Sequence, residues 1–238
     1  MANPYRLRYP RWVTEAFSFL DSLNAIPGVR AGWIERIANL PITGDRDEAM
    51  SLLRPYHAAA VEAFGGPDAS WWRAEQVHGT RVVVVPGSPQ VTAADGLPVV
   101  PSCDGLITCS SGVVLSIYAA DCGVIWLADR KTGAIGLLHS GKKGTEGNIL
   151  KVALDLMAEQ FGTRAEDVEA VLSPCIRKPD YEVDFASTIG EQATRAGVKS
   201  FFDCGLNTAS DLERFYSYRP ELGKTGRMMA MLVRDFCP

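Results

Sequence analysis

The apolar positions along the chain fall into two textures. From Asp47 to Phe64 they recur at spacings of three and four (Met50, Leu53, His57, Ala60 with Val61, then Phe64), the period of one helical face. Gly65-Gly66-Pro67 stops that run. Later the apolar residues come in consecutive blocks: Arg81–Val85 closed by Pro86, Asp104–Thr108, Val113–Ala119, Gly123–Ala128 and Ala134–His139. Blocks without polar alternation predict strands covered on both faces, the middle of a layered α/β structure. A helix is expected from Thr145 to Phe161, its stripe formed by Ile149, Val152, Ala153, Leu156, Met157 and Ala158, with Gly162 as C-cap. A strand at Val168–Leu172, a helix at Ser187–Ala196 followed by Gly197, and strands at Ser200–Asp203 and Met228–Val233 complete the pattern. The first forty residues, punctuated by Pro4, Pro10, Pro27 and Pro41, read as irregular, and residues 1–33 as an N-terminal extension. No repeat and no Ser- or Gly-rich linker divides the chain, so one domain over residues 1–238 is expected.

Composition narrows the class. The chain has 238 residues, 47% of them hydrophobic and 22% charged, enough for a globular protein with a substantial core. The net charge of -4 argues against nucleic acid or a membrane surface as partner, since both call for a basic field. No apolar run approaches the roughly 20 residues of a membrane span, and the opening MANPYRLRYPRW lacks the apolar core of a signal peptide. A cytoplasmic protein, monomeric or weakly dimeric, is expected. The six cysteines (Cys103, Cys109, Cys122, Cys175, Cys204 and Cys237) contain no CxxC pair. Reduced thiols are expected, and any metal ligands must come from separate segments.

The three histidines stand in different settings. His57 sits on the apolar stripe of the first helix, where a structural role is expected. His78 lies in Gln76-Val-His-Gly79, just before a strand. His139 ends an apolar strand and opens the glycine turn His139-Ser-Gly-Lys-Lys-Gly144, while Cys122 stands at another strand end, in Ala119-Ala-Asp-Cys-Gly123. A buried cysteine is ordinarily a small hydrophobe, and a histidine near a turn is ordinarily just hydrogen-bonded. All three, however, neighbour glycine at strand edges, where sites form in α/β proteins. One strand, a turn and a second strand fit between Cys122 and His139, so a simple hairpin would bring those two ends together.

If the three converge, two chemistries open. Zn²⁺ on one thiolate and two imidazoles, with the fourth position free, is the catalytic rather than the structural zinc pattern. Alternatively, His139 removes the proton of Cys122 and the thiolate attacks a carbonyl. Spacing does not choose between them. Asp121 and Asp104 are candidates to orient a histidine or move protons; otherwise they cap turns. Lys142 and Lys143, beside the amides of the helix starting near Thr145, form either a phosphate site or a solvated basic turn. Neither this turn nor Gly223-Lys-Thr-Gly-Arg227 has Walker A spacing.

Gln76-Val-His-Gly79, Asp104-Gly-Leu-Ile-Thr108, Ala120-Asp-Cys122, His139 with its glycine turn, Pro174-Cys-Ile176, Tyr181-Glu-Val183, and Tyr216-Ser-Tyr-Arg219 with Lys224-Thr-Gly-Arg227 occur in that order. Spanning Ile34 to Val233, this order resembles the laccase-domain family, also called multicopper polyphenol oxidoreductase, purine nucleoside phosphorylase or peptidoglycan editing factor. The resemblance implies a single-domain α/β/β/α layered sandwich with mixed sheets. It implies that His78, Cys122 and His139 are metal ligands. It implies phosphorolysis of purine nucleosides and deamination of adenosine, with copper and phenol oxidation under the older label. The chain departs from the family at Ser140-Gly-Lys-Lys-Gly144, where the usual pattern is Ala-Gly-Trp-Arg-Gly. That removes an aromatic surface and an anion-binding fork that lysine does not reproduce. The family's early arginine motif is reduced to Glu35-Arg36-Ile37, which leaves Arg36, with Gln76, as a candidate substrate contact.

The leading expectation is a zinc-dependent purine nucleoside phosphorylase or adenosine deaminase whose partners are a purine nucleoside and phosphate. The alternatives are a cysteine hydrolase acting on a cell-wall precursor amide, with Cys122 as nucleophile and His139 as base, a copper-dependent phenol oxidase, and a metal-binding paralogue without activity. Zinc is expected ahead of copper, because a multicopper oxidase needs many more histidines than three.

Overall fold

The structure is a computed structural model that describes residues 17–66 and 69–235. Its strands form two mixed sheets. One contains, in spatial order, β1 (Val29–Ile34), β12 (Met228–Arg234), β7 (Val113–Ala119) and β2 (Ser70–Arg73). The other runs β11 (Ser200–Asp203), β10 (Val168–Leu172), β8 (Gly123–Asp129), β9 (Ile135–Ser140), β6 (Gly105–Thr108) and β3 (Val82–Val84). A small pair, β4 (Val91–Thr92) with β5 (Pro98–Val99), stands apart. The pairs β2–β7, β3–β6 and β10–β11 are parallel, and the remaining pairs antiparallel.

The consecutive apolar blocks are buried on both faces, as their texture requires. Along β8, Val124, Trp126 and Ala128 join a core shared with the four-stranded sheet, while Ile125 and Leu127 face the helices. Trp126 is fully buried. Its indole packs edge-on against Trp33 of β1 at 5.8 Å and donates to the Met231 carbonyl of β12, tying the sheets together. The helix α1 (Arg46–Gly65) covers the outer face of the four-stranded sheet. The helices α3 (Ile149–Phe161) and α4 (Phe185–Arg195) cover the other. The layers are therefore α/β/β/α. No helix of the described residues is long and apolar enough to cross a membrane.

Several expectations are corrected. Residues 17–40 are not irregular: β1 pairs with β12 from Val29↔Arg234 to Ile34↔Met229, and a short helix spans Asp21–Asn24. Arg30 and Gly32 interrupt the apolar sequence of β1 and hid it. The strand β2, Ser70–Arg73, is a further element that the apolar pattern does not predict. The single helix expected from Thr145 is two: a turn, α2 (Lys142–Glu146), and α3, separated by Asn148 in the left-handed region at φ 53°, which caps α3 through Lys151 N. The buried stripe of α3 is Ile149, Leu150, Ala153, Leu154 and Met157. Val152 and Ala158 face outward because Leu150 and Leu154 offer more apolar area on an adjoining stripe of the same period. The helix α4 starts at Phe185, where Asp184 caps it through Ser187 N. Pro4, Pro10, Pro67 and Cys237 lie outside the described residues.

Candidate functional site

The hairpin β8–β9 is antiparallel with Val124 opposite His139 and Gly123 opposite Ser140. This register carries Cys122, just before β8, to the end of β9. Asp121 turns the chain there at φ 85°, and Gly141 lies against the thiol: a Cβ on Gly141 would sit 2.4 Å from Cys122 Sγ. Glycine is required at 141 because the sulfur occupies the space a side chain would take.

His78 arrives from the loop after β2, where Gln76 and His78 both adopt positive φ, 63° and 62°. Asp104, fully buried at the start of β6, gathers this loop. Its carboxylate accepts the N–H groups of His78 at 2.9 Å and Gly79 at 2.7 Å, and lies 2.8 Å from Nδ1 of His139. That contact leaves Nε2 of His139 for the centre. The rings of His78 and His139 stand edge-on at 4.9 Å. Donor atoms of His78, Cys122 and His139 all lie within 4.8 Å of one another. Two imidazoles and a thiolate suit zinc, and a carboxylate behind a ligating histidine is the usual support of such a site. The residues therefore fit the metal.

Charge within the group is coupled. Burial pushes the Cys122 thiol up, but the charge and hydrogen bond of His139, together with those of His78, outweigh it and bring the thiol down. Burial lowers His139, yet Cys122 and Asp104 raise it overall. Burial raises Asp104, and its bonds to His139, Gly79 and His78 hold it below the usual carboxylate range.

The other expected residues make no hydrogen bond to the triad side chains among the described residues. Asp121 contacts neither histidine; its carboxylate accepts from Thr208 Oγ1, Ser217 Oγ and Arg219 N, anchoring two loops. Gln76 lines the cleft, but its side-chain amide is spent imitating a strand: Nε2 donates to the Tyr118 carbonyl at 2.6 Å and Oε1 accepts from Tyr118 N at 2.8 Å. Arg36 lies outside the cleft lining, held by Glu221 at 2.6 Å and the Phe215 carbonyl and stacked on Tyr216. Lys142 and Lys143 are exposed and line the cleft. His57 is fully buried against Tyr118 with rings 5.1 Å apart, a structural position.

His78 and Cys122 open into a cleft of about 1110 Å³, with His139 buried behind them. Its apolar wall includes Ile176, Tyr181, Phe185 and Tyr218, and its cations include Arg46 and Arg227. None of these was singled out for the site from sequence. The Tyr-Ser-Tyr-Arg and Lys-Thr-Gly-Arg segments carry no such signal by themselves; the fold places Tyr218 and Arg227 in one cleft with Cys122.

The chain matches the family described as multi-copper polyphenol oxidoreductase laccase over residues 38–188 and 183–235. A purine nucleoside phosphorylase of Deinococcus radiodurans is 31% identical over 214 residues, 79% of each protein. A purine nucleoside phosphorylase of Xylella fastidiosa is 26% identical over 94% of this chain and 97% of its own. The crystal structure of YlmD from Geobacillus stearothermophilus superposes with a TM-score of 0.75 at 24% identity, covering 89% of this chain and 93% of that one, and shares the fold. With the layered architecture, the convergent triad and a match over most of its length, this chain belongs to the multi-copper polyphenol oxidoreductase laccase family, which includes proteins named purine nucleoside phosphorylase.

Proposed function

We propose that this protein is a zinc-dependent purine nucleoside phosphorylase whose metal is held by His78, Cys122 and His139. The supporting observation is the convergence of those three donors, within 4.8 Å, beside a cleft with both aromatic and cationic walls. Relatives bearing the phosphorylase name add to it. Zinc at this position would supply a Lewis acid with one open coordination site.

The chain's own residues do the rest. Asp104 fixes the ring of His139 and the loop of His78. Tyr181 and Tyr218, with Phe185 packed behind Tyr181, give the cleft an aromatic wall for a purine in place of the tryptophan absent after His139. The cationic side holds phosphate, one of whose oxygens attacks the sugar carbon. The bond from that carbon to the base nitrogen breaks, and the base departs with the electron pair. Positioning and charge compensation carry such a reaction. Adenosine deamination on the same site would use water instead of phosphate and release ammonia.

The test is to incubate zinc-loaded protein with adenosine or inosine, with and without phosphate, and separate the products. Free base and a sugar phosphate, formed only with phosphate, are expected. Inosine from adenosine without phosphate marks deamination. No product with zinc bound would sink both activities.

A second reading, a cysteine hydrolase with Cys122 as nucleophile and His139 as base, is favoured by the lowering of the thiol beside His139. Elemental analysis of protein purified without added metal separates the two. Metal-free protein that is labelled selectively at Cys122 and hydrolyses an amide supports the second, and stoichiometric zinc supports the first. Stoichiometric copper with intense visible absorption would instead revive the phenol oxidase reading.

A further inference from the structure

The acids that line the cleft are committed and the cations are not. Asp121 is bound by Thr208, Ser217 and the Arg219 backbone, and Glu182 pairs with Arg219 at 2.6 Å. Most arginines of the described chain hold a carboxylate, Arg36 with Glu221 and Arg73 with Asp95 among them. Arg46 and Arg227 hold none, and both line the cleft. Two arginines without a carboxylate ion pair among the described residues therefore stand in the cleft with His78 and Cys122.

The two arginines are also built differently from Lys142 and Lys143. Arg227 is half-buried, and its Nη1 donates to the carbonyls of Thr225 at 2.9 Å and Gly226 at 2.8 Å. The opposite edge, Nε with Nη2, makes no hydrogen bond with the described residues. That edge is the fork that grips a planar or tetrahedral oxyanion through two parallel bonds. Arg46 is tethered by Nη2 to the Glu75 carbonyl at 3.0 Å. It is the first residue of α1, where the helix dipole disfavours a cation. Burial and the charge of Arg46 both lower the pKa of Arg227, as expected of a cation lacking its counter-ion. Arg46 is exposed, as the lysines are, but the side chains of Lys142 and Lys143 make no hydrogen bond among the described residues.

We propose that Arg227 and Arg46 form the oxyanion subsite of the cleft, with Arg227 as the fixed jaw, Arg46 as the second, and Lys142 and Lys143 as a screening rim. The site binds a phosphate-class dianion; that this anion is the reactant phosphate rests on the phosphorylase reading above.

Inorganic phosphate is titrated into zinc-loaded protein by calorimetry, with sulfate and chloride as competitors at constant ionic strength. Phosphate KM and nucleoside KM are measured separately. Arg227→Gln is expected to weaken phosphate about tenfold or more, Arg227→Lys to recover only part because lysine lacks the fork, and Arg46→Gln to weaken it about threefold. Lys142→Gln with Lys143→Gln is expected to weaken it less than either arginine change. Nucleoside KM should hold. Circular dichroism and unfolding midpoints confirm folding, and Arg227→Lys and Arg46→Gln carry the test if Arg227→Gln does not fold.

Wild-type protein that binds no phosphate, folded Arg227 variants that bind it normally, or a larger loss in the lysine double variant would overturn the subsite. Arg227-dependent phosphate binding without nucleoside cleavage keeps the subsite and removes the phosphorylase reading. Phosphate-dependent cleavage indifferent to Arg227 does the reverse.

Discussion

Oδ1 of Asp104 lies 2.8 Å from Nδ1 of His139, and the same carboxylate receives the backbone N–H groups of His78 and Gly79. One acid therefore sets the tautomer of one histidine and the loop of the other. In Asp104→Asn the amide keeps one acceptor and turns a donor toward groups that already donate. Zinc affinity, measured by chelator competition, should fall about 10- to 100-fold. Unchanged affinity in a folded variant would remove Asp104 from the site.

Gly141→Ala tests the packing of the thiol. The backbone at Gly141 (φ -94°, ψ -160°) tolerates alanine, so the cost comes from the Cβ placed 2.4 Å from Sγ. Overpacking of this kind costs about 1–3 kcal/mol and moves the sulfur. The expected result is loss of stoichiometric zinc with a modest fall in the unfolding midpoint. Full zinc retention would show that the hairpin yields more easily than the structure implies.

In metal-free protein Cys122 titrates near 6, because His139 and His78 outweigh the opposing effect of burial. Burial instead drives Cys103 and Cys204 up to about 11. Alkylation by iodoacetamide, followed by peptide mass spectrometry, should be selective for Cys122 at pH 7, fall as pH drops through about 6, and be blocked by added zinc. Equal labelling of the cysteines would contradict this electrostatic picture.

His57 supplies a pH dependence away from the site. Burial first, and then the charge of Arg73, lowers its pKa from 6.5 to about 3. Below pH 6.5 the unfolded chain binds a proton that the native protein refuses, so stability falls as pH drops from 6.5 toward 3. The limiting slope is about 1.4 kcal/mol per pH unit. Urea unfolding of wild type and His57→Phe between pH 7 and 4 should show the shallower dependence in the variant. Parallel curves would mean that His57 is protonated in the fold.

The double-sided strands β7, β8 and β9 and the hairpin that joins Cys122 to His139 were legible because their burial is local and continuous in sequence. The edge elements were not. The strand β1 holds Arg30, whose guanidinium pairs with Asp235, and Gly32, so its pairing with β12 leaves little trace in composition. Gln76 and Arg36 show a related effect. Each has side-chain chemistry suited to substrate, and each spends it on the protein, Gln76 on the Tyr118 backbone and Arg36 on Glu221. Arg46 and Arg227 leave no joint signal in sequence, because the packing of α1 and the segment before β12, far apart in the chain, brings them to one cleft.

Alternation along β9 aims Ile135 and Leu137 toward the four-stranded sheet and Leu138 toward the helices. His139 shares the parity of Ile135 and Leu137. A slip of the hairpin by one position would send its imidazole to the helical side and leave Leu138 on the side now held by His139. Correct pairing of two ordinary strands is thus also the condition for bringing the three donors together, and a misregistered molecule would betray itself first by failing to bind added zinc.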